Sequence, residues 1–143
     1  MRDIKFRAKV KYNRNHYFAG EWVIGHYHQN EKGEHLIFDN EDNYIANIGD
    51  FTAYEDVEID ETTLGQYTGL KDKNGVEIYE GDIVEVEEKE YQYNEVMTNN
   101  YQATVVFREG CFKLVEENGL MDMIYNKADK CKVIDNIHDK EDK

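Results

Sequence analysis

The sequence predicts a mostly β protein made of small barrel or sandwich lobes, with an SH3-like C-terminal part and one short helix. Apolar and polar residues alternate at period two in many short runs, which is the spacing of a half-buried strand. Turn-forming pairs such as Asn74-Gly75 and Glu109-Gly110 separate those runs at close intervals. Only one segment, Asn118 to Ala128, carries apolar residues at near-helical spacing.

Ile4, Phe6, Ala8, Val10 and Tyr12 alternate with Lys5, Arg7, Lys9 and Lys11, so the first strand has one apolar and one basic face. Asn13-Arg14-Asn15 turns the chain. Trp22 to His28 forms the next strand, Asn30-Glu31-Lys32-Gly33 reads as a four-residue hairpin loop, and His35 to Phe38 returns. Asp39 to Asp50 is a polar loop, with Tyr44-Ile45-Ala46 as an addition to the sheet. Phe51 to Ile59 is a weaker strand, and Asp60-Glu61-Thr62-Thr63 offers a carboxylate to cap a helical turn.

Residues Tyr67 to Val86 pack two turn signals and two short strands into twenty positions. Asn74-Gly75 supplies positive φ for one tight turn, and Glu80-Gly81-Asp82 makes another before Ile83-Val84-Glu85-Val86. Between Val86 and Gln102 lies an acidic and aromatic insertion. Ala103 to Phe107 and Phe112 to Val115 form a hairpin around Arg108-Glu109-Gly110. Leu120, Met121, Ile124 and Tyr125 then predict a helix over Asn118 to Ala128, Lys132-Val133-Ile134 returns to strand, and Glu141 to Lys143 is a frayed tail. The signals divide the chain into lobes 1–65 and 66–143, or run through both as one continuous domain.

Three blocks carry a family resemblance. Ile4-Lys5-Phe6-Arg7-Ala8 with Glu21-Trp22-Val23-Ile24-Gly25, the stretch from Gln66 to Val86, and Val133-Ile134-Asp135-Asn136-Ile137 together resemble the YopX family of phage and prophage proteins. Asp135 departs from the glycine usual there, and His138-Asp139-Lys140-Glu141 departs from the usual ending. The resemblance implies a phage- or prophage-encoded, β-rich, intracellular protein of unassigned activity. It supplies no catalytic residues and no cofactor.

The totals restrict partners. The 143 residues include 17 basic and 31 acidic side chains, a net charge of −14. This balance argues against sequence-independent duplex binding, which needs positive surface, and favours a basic protein partner. No window reads as a membrane span, so a cytoplasmic setting is expected. Cys111 and Cys131 are too few for a disulfide framework and read as free thiols that pack rather than react.

Four groups of side chains are candidates for function. The four-residue loop would place His28 opposite His35 with His26 diagonal, a weak metal site short of a fourth ligand. Glu77, Glu80 and Asp82 form a carboxylate cluster that turn chemistry alone explains. Lys5, Arg7, Lys9 and Lys11 make a basic face that pairs with acidic surface of this chain or of a neighbouring copy, the latter giving a head-to-tail homo-oligomer, or else binds nucleic acid. Glu85, Glu87, Glu88, Glu90, Tyr91 and Tyr93 make an acidic, aromatic face suited to a basic host or phage protein, or to mimicry of a nucleic acid. The last group carries the leading expectation, a non-enzymatic interaction protein. Nucleic-acid binding through the basic strand is the alternative, and a metal-dependent hydrolase stands behind both.

Overall fold

The computed structural model describes residues 4–13, 17–38, 44–48, 51–54 and 56–140. The chain is mostly β and divides into two units, Met1–Tyr67 and Thr68–Lys143.

In the first unit, β1 (Phe6–Val10), β2 (Trp22–Gln29), β3 (His35–Phe38) and the part of β6 (Asp56–Lys71) before Tyr67 pair antiparallel in that order. β6 also pairs back onto β1, so the four strands close into a ring. Closure satisfies both edges of every strand and turns one face of each inward. The inward residues Ala8, Val10, Val23, Ile37, Val57 and Ile59 are almost fully buried and form its core. The expected helical turn at Asp60 is instead a bulge within β6. Asp60 Oδ1 accepts from the Thr62 amide (3.0 Å), while Thr63 Oγ1 donates to the Asp60 carbonyl (2.7 Å) and accepts from the Lys9 amide (2.8 Å). These bonds absorb the register shift of the β1–β6 pair between Arg7 and Lys9. The expected strand from Phe51 to Ile59 is two strands, β5 (Phe51–Tyr54) and the start of β6. β5 pairs with β4 (Tyr44–Ile48) in a two-stranded sheet of its own, so Tyr44-Ile45-Ala46 is part of a separate hairpin and not an addition to the larger sheet. The rest of the Asp39 to Asp50 loop, Arg14 and Asn15 of the first turn, and the tail Glu141 to Lys143 lie outside the described residues.

In the second unit, the end of β6 pairs with β7 (Glu77–Tyr79). β8 (Asp82–Gln92), β9 (Glu95–Arg108), β10 (Cys111–Glu116), β11 (Met121–Met123) and β12 (Cys131–Asn136) form one antiparallel sheet in the order β11-β10-β9-β8-β12. Val84, Val86, Ala103, Val105, Phe112, Leu114, Ile124 and Cys131 close over Ile78 in its core. The Glu109-Gly110 turn sits where the sequence puts it, with both residues at positive φ (55° and 82°).

The expected helix over Asn118 to Ala128 is absent. Gly119 adopts φ 89°, the Glu116 amide donates to the Leu120 carbonyl (2.8 Å), and the chain folds back as β11 against β10. Two 3-10 turns follow, Ile124–Asn126 and Ala128–Lys130. Ile124 and Ala128 point inward, whereas Leu120, Met121 and Tyr125 are exposed, so the helical spacing marked no buried face. The short helix lies further on, as α1 (Ile137–Lys140). Asn136 caps it, its Oδ1 accepting from the His138 (2.9 Å) and Asp139 (2.8 Å) amides while its Nδ2 donates to Asp139 (2.6 Å).

Candidate functional site

The acidic insertion is an ordered β hairpin. β8 and β9 pair without interruption from Ile83/Thr104 to Gln92/Glu95, and Tyr93-Asn94 makes the two-residue turn. Both turn residues are left-handed, with φ 49° and 65°, as a type I′ turn requires. Beyond Val86 no strand pairs with β8 except β9, so Glu87–Gln92 and Glu95–Gln102 project as a two-stranded ribbon among the described residues.

Alternation along this ribbon separates the residues expected to form one acidic face. Glu85, Glu87 and Tyr91 share a face with Gln102, Asn100 and Val96. Glu88 and Glu90 lie on the opposite face, with Asn99 and Met97, in line with the core residue Val86. Tyr93 stands at the tip and is 96% exposed. Around it Tyr91, Val96 and Met97 are also exposed. Glu95 belongs to the acidic insertion expected from sequence, whereas Val96 and Met97 carried no such expectation. The signal was there in a short apolar pair placed opposite Glu90-Tyr91 across Tyr93-Asn94.

Two of the carboxylates are engaged within the molecule. Glu87 lies 3.9 Å from Lys73. Glu88 makes a short ion pair with Lys127, which also contacts Asp122 (2.7 Å) and donates to the Tyr101 hydroxyl (3.0 Å). Tyr101 in turn donates to Glu88 (3.2 Å). Burial opposes the Lys127 charge, but hydrogen bonds to Asp122, Glu88 and Tyr101 outweigh it and hold the ammonium well above the ordinary lysine range. The same bonds lower the Glu88 and Asp122 carboxyls, Lys127 being the main cause for each. The cluster clamps the root of the ribbon to the turn beside β12. The Glu87 side is not purely acidic either: Lys73, Lys89 and Lys130 join Glu87, Tyr91 and Asp129 around a groove of about 370 Å³.

Asp82 and Glu77, two members of the expected carboxylate cluster, are bonded within the turn region. Asp82 is 1% exposed and accepts from the Tyr79 amide (2.8 Å), and Glu77 accepts from the Tyr79 hydroxyl (3.2 Å). Asp72 is more heavily bonded. One oxygen accepts from the Asn74 (2.8 Å) and Val76 (2.9 Å) amides, and the other from the Val133 amide of β12 (2.9 Å). Its burial raises the carboxyl, but these amides prevail and hold it below the usual carboxylate range.

The histidines do not converge. The β2–β3 connection holds one residue more than expected: the Asn30 amide donates to the Glu34 carbonyl (3.1 Å), and Asn30 Oδ1 accepts from the Lys32 and Glu34 amides. His35 therefore faces Gln29 and His28 faces Leu36. A slip of one residue moves a side chain to the other face. His26 and His28 stay on the exposed face, with His28 3.5 Å from Asp56, while His35 bonds the Tyr27 hydroxyl (2.6 Å) and stacks on its ring. Among the described residues no three His, Cys, Asp or Glu side chains form a group able to hold a metal.

The basic face of β1 lies over aromatic rings. Arg7 and Lys9 flank Trp22 (4.7 and 5.5 Å to the ring centre), Lys5 covers Tyr67 (4.9 Å), and Lys11 approaches Glu58 (3.7 Å). These contacts are internal to the first unit. Cys131 is buried, donates to the Lys127 carbonyl (3.2 Å) and has its thiol pushed up to about 11, first by burial, which makes it a packing residue.

Comparison with known proteins gives a family and a fold. The family model described as YopX protein matches residues 5–142. No curated protein matches the chain. The crystal structure of protein EF1440 from Enterococcus faecalis is similar, with a TM-score of 0.57 and 21% identity over 99% of this chain and 97% of that one. Among the described residues, no helix is long and apolar enough to cross a membrane.

Proposed function

The chain belongs to the YopX family, and from that premise we propose that it is a non-enzymatic interaction protein whose β8–β9 ribbon engages a basic protein partner. The observation that carries this reading is Tyr93. An aromatic residue at φ 49° costs about 1 kcal/mol against glycine or asparagine in the same turn, and here its ring is almost wholly in solvent. Among the described residues the ring is packed on nothing that would reward its choice at this position; a partner that buries the ring rewards it. Tyr91, Val96 and Met97 supply apolar contact beside it, and the exposed Glu90 and Glu95 supply charge for a basic surface. Glu85 and Glu87 flank the contact, whereas Glu88 is held in the Lys127 clamp and serves the ribbon's posture. The setting that fits is the bacterial cytoplasm during phage or prophage expression.

Capture from host lysate, with and without nuclease, tests the proposal when wild type is run beside two variants. A basic protein held by wild type in both arms should be lost on Glu90→Lys with Glu95→Lys, and on Tyr91→Ala with Tyr93→Ala. It should be kept on His28→Ala. Retention by both ribbon variants would sink the reading. Retention that disappears with nuclease, and with Arg7→Glu and Lys9→Glu, would transfer the function to the basic face of β1.

A further inference from the structure

The dipeptide Asn-Gly occurs twice in the chain, at Asn74-Gly75 and Asn118-Gly119, and the fold builds the same turn around each. The Gly75 amide donates to the Asp72 carbonyl (3.0 Å) and the Asp72 amide to the Val76 carbonyl (2.8 Å). The Gly119 amide likewise donates to the Glu116 carbonyl (2.9 Å), and the Glu116 amide to the Leu120 carbonyl (2.8 Å). Both glycines are left-handed, with φ 81° and 89°, and both dipeptides are exposed. The turns differ in where the amide after the glycine goes. Val76 gives it to the Asp72 carboxylate (2.9 Å), which leaves the Asn74 carboxamide without a hydrogen bond among the described residues. Leu120 gives it to the carboxamide oxygen of Asn118 itself (3.0 Å).

That difference matters because an asparagine followed by glycine can react with its own backbone. With no Cβ in the way, the glycine nitrogen, once it has lost its proton to solvent, attacks Cγ of the asparagine side chain. A C–N bond forms, negative charge gathers on Oδ1, the Cγ–Nδ2 bond breaks, and ammonia leaves with a proton taken from solvent. Water then opens the cyclic imide at either carbonyl, giving aspartate or isoaspartate. One water is consumed and one ammonia released, with no oxidant or reductant. A donor already placed on Oδ1 steadies the charge that develops there, at the separations of about 2.7–3.1 Å where such donors act.

We infer that Asn118 is a site of spontaneous deamidation and isoaspartate formation, and that the fold favours it over Asn74. The Leu120 amide holds Oδ1 of Asn118 over the Gly119 peptide and stabilises its developing charge. Asn74 has no such donor, and its own amide bonds the Asp72 carboxylate (2.8 Å), whose charge opposes a second one nearby. The bond from each glycine amide to the carbonyl three residues back restrains both nucleophiles alike, so it does not decide between them. Each event puts a carboxylate in place of a neutral amide, and isoaspartate also lengthens the main chain of the β10–β11 turn. Both products alter the wall of a cavity of about 890 Å³ that Asn118 shares with Gln102 and Glu116. No ribbon residue takes part, so the inference stands independently of the partner reading.

Peptide mapping by mass spectrometry of the full chain, incubated at neutral pH with and without urea, tests the inference. In the folded chain Asn118 should convert several-fold faster than Asn74, with isoaspartate separated from aspartate by chromatography. In urea the two should convert at comparable rates, since only the turns distinguish them. Asp72→Ala frees the Val76 amide for the Asn74 oxygen, so it should speed Asn74 and leave Asn118 at its wild-type rate. Should that variant unfold, both rates would match the urea values, and the wild-type comparison decides. Three results would overturn the proposal. Asn74 could convert as fast as Asn118 in folded wild type, Asn118 could keep its amide there over a time that converts it in urea, or its preference could persist in urea.

Discussion

Asp72 shows how much one carboxylate can organise. It gathers three backbone amides from the turn and from β12 while nearly buried. Replacing it with Ala leaves those donors without an acceptor, and the expected loss is about 2–3 kcal/mol. Because its folded pKa is depressed, its contribution is present above the unfolded value near 3.9 and is lost as pH falls through the folded one. Urea midpoints of wild type and Asp72→Asn should therefore converge as pH drops from 7 towards 3; a constant gap would contradict the assignment. Lys127 works the other way. Its raised value means that its contribution is complete below the ordinary lysine range and lost only as pH rises through the folded value, in strong base. The readable consequence lies in its partners: Lys127→Met should move Glu88 up towards an ordinary glutamate, seen by carboxyl NMR titration. Neither residue stood out in the sequence, since Asp72 bonds to an amide 61 positions away and Lys127 meets partners on separate elements.

Two glycine-containing turns were legible where the sequence puts them. Asn74-Gly75 and Glu109-Gly110 declare positive φ directly, and the strands beside them fall where period-two alternation puts them. Tyr93-Asn94 makes a two-residue turn without glycine, so the insertion showed its acidic, aromatic character in the sequence but not its turn or its register. The helix expected over Asn118 to Ala128 failed for the opposite reason: apolar spacing was present, but Gly119 breaks the segment and two 3-10 turns deliver Ile124 and Ala128 to the core. If the Tyr93 conformation is kept for contact rather than for folding, the double change Tyr93→Asn with Asn94→Gly should stabilise the protein by about 1 kcal/mol. Chemical denaturation measures that gain, and the lysate capture should show the partner's loss in the same variant. A destabilised double variant would mean that the tyrosine serves the fold.

At the scale of the whole molecule, the sequence displayed the β class, the family blocks and the acidic balance, because each is a property of local runs or of totals. It did not display which carboxylates face together. That depends on the register of β8 against β9, which puts Glu87 and Glu88 on opposite faces, and on a one-residue difference in the β2–β3 loop, which parts His28 from His35. The net charge of −14 has its own consequence: self-repulsion opposes the compact state and is screened by salt. The melting temperature should rise as sodium chloride is added from low ionic strength, in a calorimetric series; a fall would mean that local pairs such as Lys127 with Glu88 and Asp122 outweigh the overall repulsion. The bond from Asp72 to Val133 also bears on how the chain is made. During synthesis the Asn74-Gly75 turn leaves the ribosome long before the strand that completes it, while the paired parts of every strand of the first ring lie before Tyr67. The ring can close while translation continues. The second unit must wait, with a carboxylate and a bare sheet edge exposed, until the last strand arrives, and a nascent chain stalled before Val133 would be the form most open to proteolysis.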